Sequence, residues 1–203
     1  MNITEQQLDA LKEIFNIGLG YGVNSLNTLL SSHIEMYVPH LDVLTFEELV
    51  EFMNHRDHAR LSAVNMGFRG PFQGSASLVF PQSDIAKIVQ AIMPEHEIEE
   101  EFISSYSGVM TEIGNIVLNG IMGTVSNLFS TYFSYIPPIF MDISPDELFF
   151  GVDKTNAIVI FAEAHFLIEK LDIHGNIMIL LEVGSFEKLL QLLTATYREL
   201  LDN

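Results

Sequence analysis

The chain contains no cysteine and no tryptophan. Without a thiol there is no disulfide, no cysteine nucleophile and no thiolate metal ligand. Cations are scarce as well: 9 Lys+Arg stand against 27 Asp+Glu, a net charge of −18. A surface of that sign repels a polyanion, so nucleic acid and an anionic membrane face are not expected partners, whereas a basic protein surface is. Long apolar runs are missing, so no segment is expected to span a bilayer. The start, Met1-Asn2-Ile3-Thr4-Glu5, has no basic region followed by an apolar stretch. It does not read as a signal peptide, and a cytoplasmic protein is expected. Apolar side chains are plentiful, 48% of 203 residues with only 18% charged, which is enough to close a core.

The most informative feature is internal repetition. Glu13-Ile14-Phe15-Asn16-Ile17 returns as Glu112-Ile113-Gly114-Asn115-Ile116, an offset of 112 − 13 = 99. Pro39 returns as Pro138 at the same offset, 138 − 39 = 99. A second block, Gly74 to Ile92, matches Gly175 to Leu193 at 175 − 74 = 101, with Lys87 and Gln90 falling on Lys188 and Gln191. Two copies are too few for a solenoid, but a pseudo-two-fold pair can bury one shared face. A single domain over 1–203 is expected, built of repeat one (1–94) and repeat two (100–203).

Each half reads in the same order. Residues 4–31 form a helix on the apolar steps Leu8, Leu11, Phe15, Leu19, Val23, Leu26 and Leu30, opened by Thr4 and Gln7 as a capping box. Strands are expected at 34–44, 60–68 and 73–80, with a short helix at 45–53 and another from Ser83 to about Met93. The second half gives a helix over 100–131, strands near 135–141, 157–167 and 173–182, and a last helix from Ser185 to Leu201. The fold class is α+β: pseudo-two-fold duplicated α-β-(α)-β-β-α units, a mainly antiparallel sheet and the long motif helices on the outside.

Glu13 and Asn16 are three residues apart, as are Glu112 and Asn115. On a helix that spacing leaves them about 60° apart on one face, opposite the apolar stripe. Asn is a weak helix former, yet it sits inside a long helix in both copies. Gly18, Gly20 and Gly22 crowd the first helix, and Gly114, Gly120 and Gly123 the second. Each interior Gly costs roughly 1 kcal/mol against Ala, which signals close approach of another helix or backbone. A carboxylate can pair with a partner's cation, and a carboxamide can donate and accept and so hold a water in one direction. Holding a water in line with a phosphoryl group is mostly positioning, provided that metal and phosphate come from elsewhere. The pairs read as half of a catalytic centre completed by a partner protein.

These spacings resemble the CheC/CheX/FliY family, whose motif is Asp or Ser, three residues, Glu, two residues, Asn, twenty-two residues, Pro. Asp9, Glu13, Asn16 and Pro39 match it in full; Glu112, Asn115 and Pro138 match in the second copy, with Gly108 at the Asp/Ser place and Ser107 one residue early. Phe15 stands where Gly114 stands in the second copy. The resemblance covers nearly the whole chain. It implies a phosphatase acting on the phospho-aspartate of CheY-like response regulators in chemotaxis. Glu13 and Glu112 would pair with the regulator's lysine, and Asn16 and Asn115 would orient the water. Mg²⁺ would sit in the regulator, and no cofactor is expected in this chain. The alternative is a non-catalytic adaptor for a CheD-like deamidase or a regulator. No switch-binding domain is expected after the second copy.

Other signals carry less. His55-Arg56-Asp57-His58 has no phosphate loop beside it and reads as a polar loop. His33, His40, His165 and His174 are scattered, and no metal site is expected. Asp142 to Glu147 lacks calcium-loop spacing and reads as a turn. The run Phe129 to Phe140 reads as buried packing.

Overall fold

The computed structural model describes residues 3–30, 33–54, 60–92, 102–143, 147, 153–168 and 171–201. The elements run α1 (Glu5–Leu30), β1 (Ile34–Thr45), α2 (Phe46–Asn54), β2 (Leu61–Arg69), β3 (Gln73–Pro81), α3 (Gln82–Ile92), α4 (Phe102–Leu128), β4 (Ser134–Tyr135) and β5 (Ile139–Ile143). A 3-10 turn (Lys154–Asn156), β6 (Ala157–Ile168), β7 (Leu171–Glu182) and α5 (Val183–Leu201) follow. The expected elements are present within a few residues at their ends. The helices expected to open at Ser83 and Ser185 begin one or two residues earlier. The His55-Arg56-Asp57-His58 segment and residues 144–146 lie outside the described residues.

Local chemistry explains the boundaries. Thr4 and Gln7 close the expected capping box: Thr4 N–H donates to Gln7 Oε1 (3.0 Å) and Gln7 N–H to Thr4 Oγ1 (3.2 Å). Thr45 and Glu48 form a second box at α2, with Thr45 N–H donating to Glu48 Oε2 at 2.7 Å. That backbone N–H holds the Glu48 carboxyl below the usual carboxylate range. At the end of α4, Ser130 takes a left-handed φ of 48°, and Thr131 N–H donates back to Ser126 O at 2.9 Å. This is a Schellman stop made without glycine.

The seven strands form one sheet, ordered β1-β6-β7-β3-β2-β4, with β5 also on β2, and every pairing is antiparallel. The strand from each half of the chain that follows a long helix therefore pairs with the other half: β1 lies on β6, and β5 on β2. The centre of the sheet is the β3–β7 ladder, where Ser77 faces Met178, and 178 − 77 = 101.

Alternation along the strands sends side chains to two clusters. On β6, Ile160, Ala162, Ala164 and Phe166 join the large core under α1, α3, α4 and α5. Ala157, Val159 and Phe161 turn to a smaller cluster under α2. The long helices α1 and α4 cross antiparallel on the large core. A β-carbon on Gly18 would lie 2.5 Å from Ile121 Cα, and one on Gly22 would lie 3.5 Å from Val117 Cα. These two contacts exchange under the repeat offset, since 121 − 22 = 99 and 117 − 18 = 99. Gly114 is filled from below by the Val64 side chain. Gly20 and Gly123 meet nothing within 4 Å, so close approach accounts for only part of the glycine pattern.

One packing expectation needs correction. In the run 129–140, Phe129 is buried and Phe133 and Phe140 are partly buried, but Tyr132 is 91% exposed and Ile136 and Ile139 more than half exposed. Pro137 and Pro138 separate β4 from β5. Neither proline can donate to a ladder, so the strand expected at 135–141 splits into two and sheds side chains to solvent.

Candidate functional site

Glu13 lies on the outer face of α1 and is exposed; Asn16, one turn on, is half-buried. Phe15 between them is 1% exposed and points into the core, so it does not crowd the carboxylate. The Asn16 carboxamide is fully engaged. Val38 N–H donates to its Oδ1 at 2.8 Å, and its Nδ2 donates to the carbonyls of Val38 (3.3 Å) and Lys12 (3.1 Å). Asn16 thus serves Val38 as a substitute strand partner. It does so where β1 shifts register against β6, between Tyr37 and His40, and where Pro39 has no N–H of its own. The spacing from Asn to Pro has a structural cause on this reading of the geometry: the carboxamide clamps the residue before the proline.

The second pair is built differently. Glu112 is exposed on α4 and Asn115 is half-buried, as in the first copy. The residue that corresponds to Val38 is Pro137, since 38 + 99 = 137, and proline cannot donate to Oδ1. Asn115 Oδ1 instead accepts from Asn119 Nδ2 at 2.7 Å. Asn119 corresponds to Gly20, which has no side chain to play that part. The Asn115 amide group has no partner among the described residues. One carboxamide is locked to backbone, and the other is oriented by a neighbour and keeps its donors.

The antiparallel crossing of α1 and α4 near Gly18–Gly22 and Val117–Ile121 sets the two pairs on opposite sides of the crossing point. Counting 1.5 Å per residue from the crossing, they lie about 16 Å apart along the axes. On α1 the four-residue steps Glu5, Asp9, Glu13, Ile17 and Tyr21 are all exposed, Ile17 at 43% and Tyr21 at 63%. Like charges four apart weaken a helix by a few tenths of a kcal/mol, so this ridge is not there for helix stability. On α4 the corresponding place is Gly108, exposed with open space around it, followed by Glu112 and a half-buried Ile116. The groove at Gly67, Arg69 and Glu182 and the groove at His165 and His174 contain none of the four residues.

Sequence reasoning missed the Asn16–Val38 clamp, its replacement by Asn119, and the ridge residues Ile17 and Tyr21. The first two were detectable: Pro137 and Asn119 sit at repeat positions where the other copy has Val38 and Gly20. Two of the histidines read as scattered, His165 and His174, are brought directly opposite one another on β6 and β7.

Comparison with known proteins follows the same lines. No family model matches the chain. The chain is 26% identical to the CheY-P phosphatase CheC of Bacillus subtilis (strain 168) over 209 residues, 96% of this chain and 97% of that protein. Its fold is similar to the crystal structure of FliY from Thermotoga maritima, with a TM-score of 0.75, 19% identity, and coverage of 97% of this chain and 100% of that one. It is also similar to a chain of the CheX–CheY–BeF3–Mg²⁺ complex from Borrelia burgdorferi, with a TM-score of 0.52, 18% identity, and coverage of 84% and 97%.

Proposed function

We propose that this chain, which belongs to the CheC/CheX/FliY family, hydrolyses the phospho-aspartate of a CheY-like response regulator, with Glu112 and Asn115 as the principal catalytic pair. The observation that carries the reading is the Asn115 carboxamide. It is oriented through its oxygen by Asn119, keeps its N–H donors, and stands one turn from an exposed carboxylate. The relative CheC is named a CheY-P phosphatase, and the similar CheX was crystallised with CheY, BeF3 and Mg²⁺.

In this reading the regulator brings the acyl phosphate, the Mg²⁺ and a lysine. Glu112 pairs with that lysine and seats the helix across the phosphorylation site. Asn115 holds a water in line with the P–O bond to the aspartyl carboxylate. The water oxygen bonds to phosphorus, the carboxylate leaves with the bonding pair, and the water proton passes to solvent or phosphate. The gain is positional and needs no nucleophile from this chain. Glu13 presents the same carboxylate in the first copy. Asn16 must release Val38 before it can hold a water, so the first centre is the slower one. The acidic and apolar ridge on α1 supports docking there.

The test is phosphate release from a phosphorylated CheY-like regulator. Asn115→Ala is expected to remove about 2–4 kcal/mol of rate acceleration, and Asn16→Ala less. Full activity in the Asn16→Ala, Asn115→Ala double variant would sink the mechanism. The ridge also favours a second reading, an adaptor for a CheD-like deamidase or a regulator. Tight binding of such a partner with no phosphate release would select it.

A further inference from the structure

We propose that His165, His174 and Asp172 form a binding site for a divalent transition-metal ion of the zinc class, on the sheet face opposite the paired helices. His165 and His174 are direct cross-strand partners in the β6–β7 ladder. Residues so placed on an antiparallel pair have β-carbons about 4.5–5.5 Å apart, close enough for two imidazoles to share one ion. Their neighbours Ala164, Phe166 and Ile173 enter the large core, so the alternation turns the two rings and Asp172 to the other face.

The geometry is nearly assembled. His165 Nδ1 lies 3.7 Å from Asp172 Oδ1, and His174 Nε2 lies 3.6 Å from Asp172 Oδ2. One ligand atom from each residue falls within 4.8 Å of the other two. A tetrahedral ion with bonds of about 2.0–2.1 Å needs ligand atoms about 3.3 Å apart, so small side-chain rotations complete the set. The rings are held in place: Tyr37 stacks on His165 at 5.0 Å between centroids and 24° between planes, and His165 meets His174 edge to face at 4.2 Å.

Donor chemistry selects the ion. Two imidazoles and one carboxylate suit Zn²⁺, Ni²⁺ or Cu²⁺, whereas Mg²⁺ and Ca²⁺ require mostly oxygen. Three protein ligands leave a coordination position open. Both rings line a groove of about 410 Å³ with Asp84, Glu163 and Asn176.

The experiment is a Zn²⁺ titration of the untagged full-length protein by calorimetry, with His ring resonances followed by NMR. One equivalent is expected to bind and to shift the His165 and His174 imidazole signals. A large excess of Mg²⁺ is expected not to compete. His174→Ala and His165→Gln should each abolish the one-to-one site, while the His33→Ala, His40→Ala double variant keeps it. The NMR shift in the unaltered protein stands even if a variant folds poorly. Absence of a stoichiometric site, or shifts confined to His33 and His40, would overturn the proposal. So would Zn²⁺ affinity retained in a folded His165→Gln, His174→Ala variant.

Discussion

At the scale of single residues, the two motif copies carry the same letters and different hydrogen bonds. Asn16 completes the backbone of Val38, so it works for the fold before it can work for chemistry. Asn16→Ala strands the Val38 N–H and C=O where β1 changes register, and should cost about 1–3 kcal/mol of stability. A urea denaturation midpoint measures this. Asn115→Ala removes only an acceptor for Asn119 on the helix surface. It should leave that midpoint almost unchanged while lowering phosphate release. Equal stability losses in the two variants would mean that the copies are equivalent after all. The pairing of Glu with Asn was legible from spacing. The asymmetry was not read, because it depends on which backbone N–H lies across from the carboxamide, and Pro137 removes that donor without altering the motif.

At the scale of elements, the helix pair is set by small residues. A methyl on Gly120 would lie 2.4 Å from the Gly18 carbonyl oxygen, which is backbone and cannot rotate away. Gly120→Ala gains about 1 kcal/mol in helix propensity but loses more by forcing the helices apart, since overpacking costs about 1–3 kcal/mol. A lower Tm is expected, together with weaker activity, because both Glu–Asn pairs ride on these helices. Gly20→Ala, in open space, should raise Tm by the propensity gain alone. Differential scanning calorimetry of the two variants separates contact from propensity. Element type and order were readable from periodicity and caps; Thr4 with Gln7 is a case in which four letters specify a helix start. The stretch at 135–141 shows where periodicity fails. Aromatic content argued for burial, but the Pro137-Pro138 pair broke the ladder and turned Ile136 and Ile139 outward.

At the scale of the whole molecule, the two halves are interleaved rather than side by side. Among the described residues β1 pairs only with β6, and β5 only with β2. A chain cut to residues 1–94 would lose β5, β6 and β7 and leave β1 with no ladder partner. It should remain unfolded by far-UV circular dichroism and by dispersion of its amide NMR signals, despite containing a full set of repeat-one elements. A cooperatively folded fragment would show that each half closes a core by itself. Interleaving also places the two Glu–Asn pairs on one surface, since α1 and α4 must meet over the shared core. The opposite sheet face carries α2 at one place and the Tyr37–His165–His174 row at another.

By itself the sequence determined the order of helices and strands, the offset of 99 between the copies, the outward carboxylates and the family likeness. Each of these is written in spacing along the chain, and spacing on a helix or strand maps directly onto a face. The tertiary structure alone decided which strand lies beside which, that Asn16 is tied to Val38 while Asn115 is not, and that His165 faces His174. Those facts depend on hydrogen-bond partners and registers joining distant segments. Many pairings are open to the same local pattern until burial of a common core selects one.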